Sequence, residues 1–143
     1  YLSPEHIIRG IKAGDFYASS GVELKEVSFD AKDNILSLQI DTKPGVQYTT
    51  QFVGTAKDHV TTVTPENNEV SEPSSEYKYS SPAIGKVLAT AKGEAPQYRL
   101  TGSELYVRAV VTANQNHPDP SFKGQKQQAW TQPVGWRRHI HSE

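Results

Sequence analysis

The chain has no cysteine and no methionine among its 143 residues. Without thiols, neither a disulfide framework nor a thiolate-held metal site can form. The lack of cysteine assigns no compartment, since reducing and oxidising environments both tolerate it. With no methionine there is no initiator, and Tyr1-Leu2 runs straight into a helical pattern, so the sequence reads as a domain cut from a longer protein. No apolar run reaches the roughly 18–20 residues of a membrane span. No signal peptide is present, which says nothing about export if the parent's N-terminus is missing. An excess of charge is also lacking: 15 Lys and Arg against 16 Asp and Glu leave a net charge of −1. The basic residues are scattered and form no stripe, which disfavours binding to nucleic acid or an anionic membrane.

Phosphate cradles and nucleophile elbows are missing as well. Gly10 and Gly14 belong to a helical pattern and not to a Gly-rich loop. Ser19-Ser20-Gly21 stands after a helix and before a strand, the reverse of the Gly-x-Ser-x-Gly arrangement. It reads as a turn in which Gly21 takes a positive φ.

What is present is one helix followed by strands, at a length suited to one domain. Ser3 suits the N-cap, Pro4 the first helical position and Gly14 the left-handed C-terminal position. Ile7, Ile8 and Ile11 then share one face, which in so short a helix must pack on the following sheet or on a missing partner. Val22 to Phe29 predicts a strand whose alternation slips midway, a sign of a bulge. Ala31–Asn34 is a turn, and Leu36, Leu38 and Ile40 share a face of the next strand. Lys43-Pro44-Gly45 is a further turn, and Val46, Tyr48 and Phe52 alternate with polar residues beyond it. These elements together predict a three-stranded meander.

From about Ala56 to Pro82 the chain is polar and Pro-containing, a long loop with room for one irregular edge strand near Glu76–Ser80. Strands resume at Gly85–Ala91 and Gln97–Leu100. Leu105, Val107, Ala109 and Val111 mark one face of the clearest strand. A loop from Asn114 to Lys126 and a last strand from Gln127 to about Val134 complete the pattern. Seven or so strands with no helix between them predict an antiparallel, immunoglobulin-like β-sandwich carrying one short N-terminal helix. The division expected is a helix and connector over 1–21, the sandwich over 22–136 and a tail over 137–143.

Candidate chemistry is sparse. His6, His59 and His117 lie far apart and read as surface residues. His139-Ile140-His141 has the spacing of a metal pair but reads as a solvated tail. Scattered carboxylates read as a solvated face. Phe52 and Trp130 read as core aromatics, whereas Trp136, beyond the last strand, could either pack or stack a ligand. No catalytic residue and no metal ligand is assigned.

Gly14-Asp15-Phe16-Tyr17-Ala18-Ser19-Ser20-Gly21, read with Leu105-Tyr106-Val107-Arg108-Ala109 and Ala129-Trp130-Thr131-Gln132-Pro133, resembles the C-terminal region of bacterial PHP-domain proteins. These are polymerase-and-histidinol-phosphatase-like, metal-dependent phosphoesterases. The resemblance implies that the catalytic divalent metal ions are held by an upstream barrel and that this chain holds no cofactor. It implies an upstream catalytic domain as partner, with Ile7, Ile8, Ile11, Phe16 and Tyr17 near the junction. It favours a periplasmic or extracellular setting. The PHP metal motif of two histidines one residue apart belongs near the start of the barrel, so the role is not carried to His139 and His141. A carbohydrate- or surface-binding module is the rival expectation, with Trp136 as its stacking residue.

Overall fold

A computed structural model of the chain describes residues 3–57 and 84–139. The irregular strand expected near residues 76–80 lies outside them. Helix α1 (Pro4–Ala13) is followed by β1 (Tyr17–Ser19), β2 (Leu24–Asp30), β3 (Ile35–Ile40) and β4 (Tyr48–Ala56). After these come β5 (Lys86–Lys92), β6 (Gln97–Arg99), β7 (Glu104–Asn116), β8 (Lys126–Thr131) and a 3-10 turn at Trp136–His139. The strands form two antiparallel sheets, β1-β8-β7-β4-β5 and β2-β3-β6. This is the sandwich the sequence predicts. With β1 set aside, the described strands follow the immunoglobulin-like order, except that β5 pairs with β4 and not with the smaller sheet.

The helix has the expected ends. The Ser3 hydroxyl accepts from the His6 N–H, and Gly14 adopts φ 78° with its N–H bonded back into the last turn. The turn between β2 and β3 is set by Asp30, whose Oδ1 accepts from Lys32 N at 2.8 Å and Asp33 N at 3.0 Å. The slip in the β2 pattern is a bulge between Leu24 and Glu26.

Three expectations fail, each for a non-local reason. The meander does not form, because β4 leaves β3 and joins the other sheet, while β6 takes the free side of β3. The six residues between Ile40 and Gln47 are long enough to cross the roughly 10 Å between packed sheets. Gln47 then fixes β4 beside β7, its N–H donating to Asn114 Oδ1. Leu105 does not share the buried face of Val107, Ala109 and Val111. Thr55 pairs with Tyr106 but Ala56 pairs with Glu104, so Leu105 is the extra residue of a bulge and is exposed. Trp130 is not core: Ala129 and Thr131 hold the buried positions of β8, which turns Trp130 to the outer face.

The three-residue strand β1 went unforeseen within the connector. It pairs Tyr17 with Thr131 and Ser19 with Ala129, so the connector contributes to the sandwich.

The core lies between the sheets. Leu36, Leu38 and Ile40 of β3 face Val107, Ala109 and Val111 of β7, with Phe52 of β4 beside them. The Phe52 and Tyr98 rings stack across the gap at 5.3 Å between centroids. Gly54 has no room for a side chain: a Cβ there would strike the Tyr106 carbonyl oxygen and sit 2.8 Å from Leu88 Cδ1.

Glu104, buried at the start of β7, organises the β6–β7 corner. Its Oε1 accepts from the Tyr98 hydroxyl at 2.8 Å, the Thr101 hydroxyl at 2.9 Å and the Thr101 N–H at 3.2 Å, and its Oε2 from the Gly102 N–H at 3.0 Å. Burial alone would raise the carboxyl's pKa, but the bonds from Thr101 and Tyr98 outweigh it and hold the group below its ordinary value. Burial, and next the bond to Glu104, push the Tyr98 hydroxyl up to about 12.

Two outcomes follow for stability. Glu104→Ala orphans several donors and costs about 3 kcal/mol by urea denaturation. Because the folded-state pKa of Glu104 is depressed, its contribution is present above the unfolded value and fades as pH falls through the folded one. The acid limb of the stability curve therefore flattens in the Glu104→Gln variant, and an unchanged limb would contradict this role. Gly54→Ala costs about 1–3 kcal/mol by overpacking, read from the same denaturation curves.

Candidate docking groove

Helix α1 is amphipathic, yet it buries no side chain. Ile7, Ile8 and Ile11 are 46, 53 and 59% exposed, and Phe16 just beyond the helix is 46% exposed. Ten residues are too few for a helix to be stable alone in water. Among the described residues, α1 is held by its caps, by the Asp15 N–H bonded to the Gly10 carbonyl at 2.9 Å, and by Arg137, whose guanidinium donates to the Ala13 carbonyl at 3.4 Å. None of these covers the isoleucines.

Beside the helix lies an open groove of about 1130 Å³. Leu24, Val27 and Phe29 of β2 line one wall. Val27 and Phe29 pair with Leu38 and Leu36, so they point toward the opposite sheet. Val27 is nevertheless 39% exposed. The reason is the brevity of β1: the five-stranded sheet ends in a strand of three residues and leaves this edge of the sandwich open. The other wall is built by Ile11, Phe16, Tyr17, Val134 and Trp136. Lys12, Asp15, Glu26, Gln132 and Arg137 form a polar rim of both signs, and Lys25 on the rim is paired with Asp41 at 3.0 Å.

The fold thus gathers Ile11, Phe16, Tyr17 and Trp136 into one lining, whereas Ile7 and Ile8 extend the apolar surface along the helix outside it. Tyr17 has a second task. Its ring packs against the core and its hydroxyl accepts from the Leu24 N–H at 3.1 Å, which ties β1 to β2 across the sandwich. Trp136 is 40% exposed, with the Arg137 guanidinium 5.4 Å from its ring centroid. Val27 and Phe29 were not singled out from sequence. The slip in the β2 alternation held the signal, because a bulge at that point decides which of its apolar residues face inward.

The described histidines, His6, His117 and His139, do not converge. His6 lies against Ser3, and His117 Nδ1 accepts from the Asp119 N–H at 3.1 Å. His139 departs from the solvated tail expected of it: it is half-buried, with Nε2 at 3.1 Å from the Glu104 carbonyl oxygen. His59 and His141 lie outside the described residues. Among the described residues, no three His, Asp or Glu side chains gather as a metal site.

Exposure of the helix face makes a stability prediction. Replacing Ile7, Ile8 and Ile11 together with serine changes the unfolding free energy of this chain by less than about 1.5 kcal/mol, since each surface substitution is worth up to about 0.5 kcal/mol. A loss of several kcal/mol in chemical denaturation, as for buried aliphatics, would show that the face is already packed. No protein-family model, curated protein or solved structure matches the chain.

Proposed function

We propose that this chain is the non-catalytic C-terminal β-sandwich of a PHP-like metal-dependent phosphoesterase, and that α1 and the groove beside it dock on the upstream catalytic domain. The observation that carries the reading is the uncovered apolar surface formed by Ile7, Ile8, Ile11, Phe16, Val27 and Trp136. A continuous apolar surface with a mixed polar rim suits a protein interface. The resemblance of the Gly14–Gly21 segment to PHP-domain proteins supplies the identity of the partner.

In this reading the sandwich packs on the barrel and shapes access to its site, while the divalent ions belong to the barrel. Among the described residues no three His, Asp or Glu side chains gather, and no chemical step is assigned to them. The near-neutral charge argues against nucleic acid as a partner. No helix among the described residues is long and apolar enough to cross a membrane. A periplasmic or extracellular setting rests on the resemblance alone.

One observation favours a second reading. The Phe16 and Trp136 rings stand beside Asp15, Gln132 and Arg137 on the groove, a mixture of stacking and hydrogen-bonding groups that also suits a carbohydrate. Retention on a glycan affinity gel that is lost in Trp136→Ala would favour it over docking.

Phosphatase assays with divalent metal separate the leading reading from an enzyme. The longer polypeptide that carries this chain hydrolyses a phosphate ester and the chain alone does not. Metal-dependent turnover by the isolated chain would overturn the proposal. Docking is tested by acrylamide quenching in a Trp130→Phe background with the tryptophans of the upstream domain also replaced by phenylalanine. Trp136 emission is readily quenched in the isolated chain and shielded in the longer polypeptide; equal quenching in both would count against the interface.

A further inference from the structure

We draw no further inference here: the strongest candidate, the surface patch at the tip of the β7–β8 loop where Phe122 lies exposed, is a single aromatic side chain, and nothing in the structure shows what covers it.

Discussion

Inward-facing residues of β2 that the opposing sheet does not reach are the constraint on which the groove depends. Pairing with Leu38 and Leu36 directs Val27 and Phe29 toward the core. The sheet opposite should close over them, but its edge strand β1 begins only at Tyr17. The sandwich is therefore sealed along β3 and β7, where side chains from both layers interlock, and open beside β2. Helix α1 and the Trp136–His139 turn stand at that opening, joined by the Arg137 contact to the Ala13 carbonyl. The open edge and the bare helix face belong to one surface.

The rest of the molecule is closed by local devices. Tyr17 spans from β1 to the backbone of β2, and the Glu104 carboxylate gathers donors from Tyr98, Thr101 and Gly102. Immunoglobulin-type domains often secure the corresponding corner with a tyrosine hydroxyl bonded to backbone. Here a buried carboxylate takes that position and draws the tyrosine from β6, the preceding strand, in the opposite sheet. The Val134–Val107 bridge and the bond from His139 to Glu104 then bring the C-terminal segment back onto β7. The helix thus sits beside a firmly held framework, and none of its residues is buried among the described residues.

Much of the fold was legible in the sequence because its signals are local. Ser3, Pro4 and Gly14 marked the helix ends. The alternation of Leu36, Leu38 and Ile40 marked the buried face of β3, and the slip in β2 marked its bulge. What could not be read depends on distant partners. The same alternation in β4 suits either sheet, so the crossing after Ile40 was invisible. Leu105 and Trp130 were misplaced because a bulge or a register choice elsewhere decides which face a residue occupies. Glu104 gave no signal, since a carboxylate at a strand start usually meets solvent. For the site, the isoleucine spacing exposed the helix face early, whereas the wall formed by Val27 and Phe29 emerged only once the sheets were assembled.

The central claim is that a neighbouring domain covers α1 and the open edge. Amide hydrogen exchange across residues 4–13 tests it most directly. In the isolated chain these amides exchange fast, because a ten-residue helix without buried side chains opens readily. In the longer polypeptide they slow by at least about tenfold, which corresponds to roughly 1.4 kcal/mol of added local stability. Equal exchange in both would contradict the account.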